Sequence, residues 1–485
     1  MSTSKVFSGV VWASVQRFGT MIISFVTNIV LARLLTPDDF GTIGMLLLFL
    51  AIANTFVDSG FGSALIQKKD ATQTDFSTVF YINLVLSIAI YAVLFFGAPW
   101  VANFYEVDIL NPLLRVQGLV LILNGFCIVQ TALLRKKMDF RKLSISNLVG
   151  NAVGSVVGIL AALNGYGVWS LVIRALTVSF VTSILLWVAG NWKPLWVFSR
   201  HSFKELFGFG GFMLLSSLLY ALTNNIQTLV IGKLFKPADL GNVTQARQLR
   251  NVATDSVSSV ISQVLYPEFA NNQKEENILA QKLNLSVSVI SFMSVGLMVL
   301  CILTAKPLIL LLYGEKWVDC IPYFQILCLA GSFIALQDVN VNLVAAKGKS
   351  KMLFYCNVLK MILYILMLIV GAKLYGLYGL VIANSLYTMI AYVAFSILAT
   401  HYLKENVFSQ YKRLMQPIVI SIVPTFITIV INKIMSEFNN NLLVFIVDIV
   451  VFTTIYVGFS YMVKNAGCLY MKAALNNLTH SRIKK

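Results

Sequence analysis

The sequence predicts an all-α polytopic membrane protein with about fourteen transmembrane helices. Of its 485 residues, 58% are hydrophobic and 12% are charged, and the mean hydropathy is +0.80. Soluble domains carry about 25% charged residues, so this composition excludes an ordinary water-facing surface. The apolar residues form runs of about twenty or more, the length that an α-helix needs to cross a bilayer core. The shorter, alternating segments of a β-barrel are absent from the sequence.

Basic residues set the topology that we predict for these helices. The apolar segments are centred on residues 6–33, 41–66, 77–101, 112–134, 143–163, 167–190, 204–231, 241–266, 283–312, 320–346, 352–371, 376–401, 414–432 and 441–463. Lys and Arg concentrate in alternate loops, for example at 135–142 and 347–351, which is typical of cytoplasmic segments. This pattern predicts that both termini are cytoplasmic. The net charge of +17 therefore indicates cytoplasmic loops rather than nucleic-acid binding.

An internal repeat divides the chain into two similar halves. Three pairs of segments match in the same order, namely 31–41 (LARLLTPDDFG) with 231–241 (IGKLFKPADLG), 133–143 with 343–353, and 166–173 with 375–382. Because each half has an even number of spans, about six, a pseudo-twofold axis along the membrane normal should relate the two halves. We expect an N-terminal lobe at 1–200, a C-terminal lobe at 201–403, and two further helices with a basic cytoplasmic tail at 404–485.

Polar and charged side chains inside the predicted spans mark the candidate site, because ionisable groups are costly in a bilayer. Span eight carries a polar stripe at helical spacing, formed by Arg247, Arg250, Asn251, Thr254, Asp255, Ser258 and Ser262. Further polar side chains lie on spans one, two and seven, among them Arg17, Asn54, Asp58, Asn224, Gln227 and Thr228. Since such a stripe cannot face lipid, we expect a polar cavity between the two halves.

The balance of charge on these spans indicates an anionic ligand. In the alternative interpretation, Arg17 pairs with Asp58 and Arg250 pairs with Asp255 inside a dry bundle. However, three arginines face only two carboxylates on these spans, and a guanidinium without a partner binds phosphate well because it can do so bidentately. Other ionisable residues within the spans are Arg115, Arg174, Asp338, Lys360 and Asp448.

Sequence motifs of soluble enzymes are absent. The chain contains no GxxxxGK[ST], no HExxH and no GxSxG, and its three histidines lie far apart. A membrane enzyme such as a sugar polymerase would need a long periplasmic loop, and the loops here are short. We therefore expect no catalytic residues, no metal site and no cofactor, and a transport process that an ion gradient or the membrane potential drives.

Four features carry a resemblance to a known family: Arg17 on the first span, LARLLTPDDFGTIGM at 31–45, DSGFGSALIQ at 58–67 and LLRKKMDFRKL at 133–143. With these features the chain resembles the Wzx-like polysaccharide flippases of the MOP (multidrug/oligosaccharidyl-lipid/polysaccharide) exporter superfamily, which are related to MATE and MurJ. The resemblance implies a flippase rather than an enzyme. Such a flippase would carry undecaprenyl-pyrophosphate-linked units of O-antigen, capsule or exopolysaccharide across the bacterial inner membrane by alternating access between two lobes.

The resemblance also implies roles for individual residues. Related exporters of peptidoglycan precursor have cavity arginines on spans one, two and eight, but span two of this chain offers only Asp58. The implied substrate-binding residues are Arg17, Arg247, Arg250, Asn251 and Asn224, and the implied ion-coupling residues, for H⁺ or Na⁺, are Asp58 and Asp255. The expected partners are the lipid-linked oligosaccharide, membrane lipids, and a polysaccharide polymerase or export machinery. The alternative is a MATE-like ion-coupled drug or cation exporter, which would prefer an acidic cavity.

Overall fold

The structure, a computed structural model, describes residues 3–58, 60–273, 275–435 and 440–483. Twelve of the helices in these ranges are long and apolar enough to cross a membrane, which confirms the predicted all-α polytopic fold. One of the twelve, Lys351–Leu403, spans 53 residues and is interrupted at Tyr375 and Gly376. The predicted span eight is too polar to be counted among the twelve. The total of about fourteen spans stays a prediction.

The helices group into two compact units, Met1–Gly241 and Asn242–Lys485. Unit 1 contains α1 (Thr3–Leu34), α2 (Pro37–Asp58), α3 (Phe61–Gln67), α4 (Gln73–Tyr105), α5 (Leu110–Gln117), α6 (Leu119–Lys136), α7 (Phe140–Leu163), α8 (Trp169–Gly190), α9 (Arg200–Leu234) and the first turn of α10 (Pro237–Asn271). Within it α7 packs between α1 and α8, α6 packs against α4 and α8, and α9 packs against α2. The predicted lobe boundaries at residues 200 and 403 stay a prediction.

Unit 2 is built around α11 and α13. It contains the rest of α10, α11 (Glu276–Leu303), α12 (Ala305–Leu312), a 3₁₀ turn (Glu315–Trp317), α13 (Cys320–Ala346), α14 (Ser350–Leu403), α15 (Val407–Met435), α16 (Asn441–Met462) and α17 (Ala466–Ile483). Helix α11 contacts α13, α15, α16 and α17, and α13 packs along α14. Fully buried apolar side chains such as Leu283, Val287 and Phe395 fill the space between these helices.

The first repeated segment forms the same turn in both halves. Helices α1 and α9 end at Leu34 and Leu234, and α2 and α10 begin at Pro37 and Pro237. The aspartates help to cap the following helices, because Asp39 Oδ2 accepts hydrogen bonds from Thr36 N and Thr36 Oγ1, and Asp239 Oδ2 accepts one from Lys236 N.

The glycines of these turns have a role that the sequence did not reveal. A Cβ on Gly41 would lie 1.7 Å from Pro237 O, and a Cβ on Gly241 would lie 2.0 Å from Pro37 O. Both positions are helical, so the requirement for glycine comes from the direct approach of one turn to the backbone of the other. The glycine of each turn therefore lies against the backbone of the other turn, which explains why both turns have Gly at this position.

The other two repeated segments also correspond in structure. Gly167, which precedes α8, and Gly376, which interrupts α14, both have a left-handed backbone with φ of 50° and 56°. Met138 and Gly348, with φ of 58° and 71°, occupy matching turns before α7 and α14. The pair α7 and α8 in unit 1 therefore corresponds to the two parts of α14 in unit 2, and the repeat extends through both units.

A stripe of small residues on α7 packs against α8, as its spacing predicts. Gly150, Gly154 and Gly158 lie against Thr182, Val178 and Arg174, and a Cβ at any of the three would come within 2.7 Å of these side chains. The close approach of α7 to α8 therefore depends on the absence of side chains at these three positions.

Candidate substrate site

Helix α10 carries four of the predicted site residues inside unit 2. Arg250 is only 6% exposed, and its guanidinium donates from Nε and Nη2 to Asn251 Oδ1 at 3.1 and 2.8 Å. Arg247 and Asn251 are half-buried, and Asp255 is exposed. Among the described side chains, Arg250 and Asp255 form no ion pair within 4 Å. A buried cation thus has a neutral amide as its hydrogen-bond acceptor.

The predicted polar stripe of α10 divides into a buried line and a more accessible line. Arg250, Thr254 and Ser258 are buried at successive turns, whereas Asp255 lies on the exposed side. The Thr254 hydroxyl bonds back to the Arg250 carbonyl oxygen at 3.2 Å. The side chain of Ser262, the last member of the stripe, lies outside the described side chains.

Helix α14 adds an aromatic and amide group that the sequence analysis missed. Tyr364 is 2% exposed, lies within electrostatic range of both Arg247 and Arg250, and accepts a hydrogen bond at its hydroxyl from Asn384 Nδ2 at 2.7 Å. Its ring stacks on that of Tyr387 with 4.3 Å between the centroids. The Tyr364 phenol accepts one hydrogen bond and lies near two guanidinium groups. Helix α14 therefore contributes to the polar surroundings of the arginines on α10.

Lys360 and Asp338 extend this polar cluster. Lys360 is 9% exposed, and its Nζ lies 4.4 Å from the Phe395 ring centroid and 3.4 Å from Asn357 Oδ1. Asp338 on α13 is within electrostatic range of both Lys360 and Asp255, and it lies beside Ser258. Within the described residues, this unit 2 cluster contains three cationic side chains, Arg247, Arg250 and Lys360, and two carboxylates.

A helical-spacing test on α14 would have marked its polar face, although not the contact of that face with α10. Asn357, Lys360 and Tyr364 follow one another at intervals of three and four residues, as Asn384 and Thr388 do. The sequence analysis noted Lys360 and Asp338 as ionisable residues within spans but gave them no partner. Their association could not be read from the sequence because they lie on different helices.

Three of the predicted site residues belong to unit 1 and lie on three different helices. Arg17 on α1 and Asn224 on α9 are exposed, and no ion pair joins Arg17 to Asp58 in the part of the chain that the structure describes. Asp58, at the end of α2, is also exposed. That all seven predicted residues lie together in one site stays a prediction.

Asp58 lines a cavity of about 360 Å³ inside unit 1. Its polar lining also includes Ser63, Ser217 and the amide pair Asn54 and Asn124, in which Asn124 Nδ2 donates to Asn54 Oδ1 at 3.1 Å. The chain leaves helical geometry directly after Asp58, at Gly60 with φ of 69°, before α3 continues. The cavity therefore combines apolar side chains, among them Ile128 and Leu214, with neutral hydrogen-bonding groups and one carboxylate at a helix break.

The comparison with protein families decides the family of this chain. The sequence profile of the family described as "Polysaccharide biosynthesis protein" matches residues 30–322. The chain belongs to the polysaccharide biosynthesis protein family. The chain is 24% identical over 421 residues to "Teichuronic acid biosynthesis protein TuaB" of Bacillus subtilis (strain 168), covering 86% of this chain and 87% of that protein. It is also 24% identical over 381 residues to "Lipopolysaccharide biosynthesis protein WzxC" of Escherichia coli (strain K12), with 77% of each chain covered.

Solved structures show the same fold. The chain matches "Lipid II flippase MurJ, inward closed conformation" with a TM-score of 0.78, at 16% identity, over 93% of this chain and 98% of that one. An inward-facing "multidrug resistance MATE family transporter of the MOP superfamily" matches with a TM-score of 0.65, at 15% identity, over 82% of this chain and 98% of that one. The predicted resemblance to Wzx-like proteins of the MOP superfamily is confirmed.

Proposed function

We propose that this protein is a flippase for lipid-linked oligosaccharides and not an enzyme. The observation that carries the proposal is Arg250, a buried cation in an apolar helical unit whose hydrogen-bond acceptor is a neutral amide. Family membership and relatives named for teichuronic acid and lipopolysaccharide biosynthesis support a glycan-related role. Similarity in fold to a lipid II flippase supports transport of a lipid-linked substrate.

The chemistry of the cluster suits a pyrophosphate next to a sugar. A guanidinium can bind two phosphate oxygens at once, and its attraction to an anion is stronger inside a low-dielectric interior than in water. Arg17, Arg247 and Arg250 would bind the pyrophosphate of an undecaprenyl-linked unit. Asn224 and Asn251 have amides that can donate to and accept from sugar hydroxyls.

The remaining expectations belong to the same proposal. Transport proceeds by alternating access in the inner membrane, with both termini in the cytoplasm, and Asp58 or Asp255 couples it to H⁺ or Na⁺. No organic cofactor takes part. A polysaccharide polymerase or export machinery receives the flipped unit, which is an O-antigen, capsule or exopolysaccharide precursor.

A MATE-like drug exporter remains the competing function on grounds of fold alone. An exporter of organic cations would need net negative charge near its ligand. The unit 2 cluster has three cations against two carboxylates among the described residues, and the relatives are named for polysaccharide synthesis. Both observations favour the flippase.

The decisive experiment is deletion of the gene in its host, followed by lipid extraction and mass spectrometry. We expect lipid-linked oligosaccharide to accumulate and wild-type protein to reverse the accumulation. Arg250→Ala should abolish export, with the protein level intact. Arg250→Gln retains an amide that can bond to Asn251, so it tests the charge separately from the packing.

Arg135→Ala is the matched control, because Arg135 is an exposed basic residue at the end of α6. Full export by both Arg250 variants would refute the assignment of Arg250. Intact surface polysaccharide without any accumulated lipid in the deletion strain would favour the drug-exporter function.

A further inference from the structure

Asp448 is a buried carboxyl group that the proposed transport function does not use. It lies in α16 and is 0% exposed. Neither of its carboxyl oxygens has a hydrogen-bond partner within the described structure. Since α16 crosses the membrane, water does not satisfy these oxygens from outside. A side chain of this kind is rarely placed in an apolar helix without a function.

The polar group next to Asp448 is the side chain of Asn432 on α15, the helix that packs along α16. The Oδ1 atom of Asn432 is also buried and has no hydrogen-bond donor among the described groups. Within the described structure these three oxygen atoms form no hydrogen bond of normal geometry, and the Asn432 side chain is the hydrogen-bonding group that acts on the Asp448 carboxyl. A buried acceptor left without a donor destabilises the folded state.

No charged side chain that the structure describes forms an ion pair with Asp448. Helix α16 packs against α11, α12, α15 and α17, and the charged side chains described on these helices are Glu276, Lys282, Lys306, Lys412, Arg413, Lys433 and Lys472. Among the described residues none of them forms an ion pair with Asp448, and the polar influence on its carboxyl comes from Asn432. The titratable Cys301, Cys468 and Tyr456 also lie on the packed helices or on α16 itself, and the Tyr456 hydroxyl donates to Phe292 O.

An ionised carboxylate in this position would be a buried charge without a partner, which proteins avoid by neutralising the group. We propose that Asp448 is a proton-binding site whose O–H donates to Asn432 Oδ1 and joins α15 to α16. A hydronium ion of the solvent transfers its proton to one Asp448 oxygen, returns to water and leaves the residue neutral. One bound proton thereby gives the Asn432 oxygen a donor and removes the charge.

The geometry favours a proton over a metal cation. Hard cations bound to oxygen take about six or more ligands, and here two side chains provide three unsatisfied oxygens. The proposal does not depend on the flippase function, because it concerns the contact between α15 and α16. It predicts that the packing of these two helices is sensitive to a rise in pH, since loss of the proton restores the unpaired charge.

The test is infrared spectroscopy of the purified full-length protein at mildly acidic pH, comparing wild type with Asp448→Asn. We expect the wild type to show a protonated-carboxyl band that the Asn variant lacks and that shifts in heavy water. Asp319→Asn is the control, because Asp319 is exposed at the start of α13 and should remove carboxylate absorption instead. Asn432→Ala should shift the Asp448 band without abolishing it.

A second measurement keeps the proposal testable if the band is weak. The thermal stability of the wild type should fall as the pH rises and the proton is lost. Asp448→Asn resembles the protonated acid in shape and charge, so its stability should lack this part of the pH dependence. Loss of carboxylate absorption in Asp448→Asn would overturn the proposal. A stabilisation of wild type by Na⁺ that Asp448→Asn abolishes would overturn it in favour of a cation site.

Discussion

The two units share a repeated backbone plan but differ in the polar groups that they enclose. In unit 1 the polar interior is a cavity lined by neutral groups, with the amide pair Asn54 and Asn124 and a single carboxylate, Asp58. In unit 2 the corresponding interior is a buried charged cluster that includes Arg250 and Lys360. The turns that define the repeat, by contrast, share their helix ends and keep Pro, Asp and Gly at matching positions.

This difference indicates that the backbone geometry of the repeated turns does not determine which polar groups lie in the interior of each unit. The turns at 31–41 and 231–241 are kept alike because each approaches the backbone of the other, which excludes most side chains. Away from close helix contacts such as that of α7 with α8, no such steric requirement acts on the helix interiors. Unit 2 could therefore acquire charges while unit 1 kept hydrogen-bonding amides, and only the charged interior offers strong binding to an anion.

The largest expected effect comes from breaking the shared turn geometry. In Gly41→Ala and Gly241→Ala the new methyl group would collide with a backbone oxygen, which cannot move aside as a side chain can. Overpacking usually costs about 1–3 kcal/mol, and a backbone clash belongs at or above the upper end of that range. We expect a large loss of thermal stability, measured by fluorescence-detected gel filtration after heating.

Gly97→Ala provides the control for these variants. Gly97 lies inside α4, and a Cβ added there would meet no other atom within 4 Å. Because Ala has the higher helix propensity, Gly97→Ala should be neutral or slightly stabilising. Equal behaviour of Gly97→Ala and Gly41→Ala would show that the two turns do not constrain each other.

The next effect tests the charged interior of unit 2. Lys360→Met removes the cation nearest to Asp338 and leaves that carboxylate beside Ser258 and within range of Asp255. We expect a loss of about 1–3 kcal/mol, because a buried polar group loses its compensation. The double variant Lys360→Met with Asp338→Asn should recover part of the loss. A double-mutant cycle by thermal unfolding measures this coupling, and simple additivity of the two changes would contradict it.

A smaller effect is expected for the neutral interior of unit 1. The hydrogen bond from Asn124 to Asn54 joins two uncharged amides at the edge of a cavity, so its net contribution should be about 0.5–1.5 kcal/mol. The cycle of Asn54→Ala, Asn124→Ala and the double variant should give a weaker coupling than the Lys360 and Asp338 cycle. A stronger coupling in unit 1 would reverse the comparison between the two interiors.

The fold could be predicted from the sequence because its determinants are local. Apolar runs give the helices, and the matching turns around Pro37 and Pro237 give the repeat. The stripe on α10 was also local, since one helix carries Arg250, Asn251 and Thr254. The partners of that stripe could not be predicted, because Tyr364 and Asp338 reach it through the packing of three helices. Likewise, the reason for glycine at position 41 is a contact between distant segments.

The smallest expected effect is a difference in stability between the caps of α2 and α10, which begin with the two matching turns. Asp39 and Asp239 both cap the following helix, but residue 36 is Thr and residue 236 is Lys. The Thr36 hydroxyl both donates to Asp39 Oδ2 at 2.8 Å and accepts from Asp39 N at 3.3 Å, and the Lys side chain has no acceptor to repeat this. Loss of a cap costs about 0.5–2 kcal/mol, so Asp39→Ala should lie towards the top of that range and Asp239→Ala towards the bottom. Thr36→Lys should then reduce the cost of Asp39→Ala to that of Asp239→Ala, and unequal costs in that background would mean that the hydroxyl is not the source of the difference.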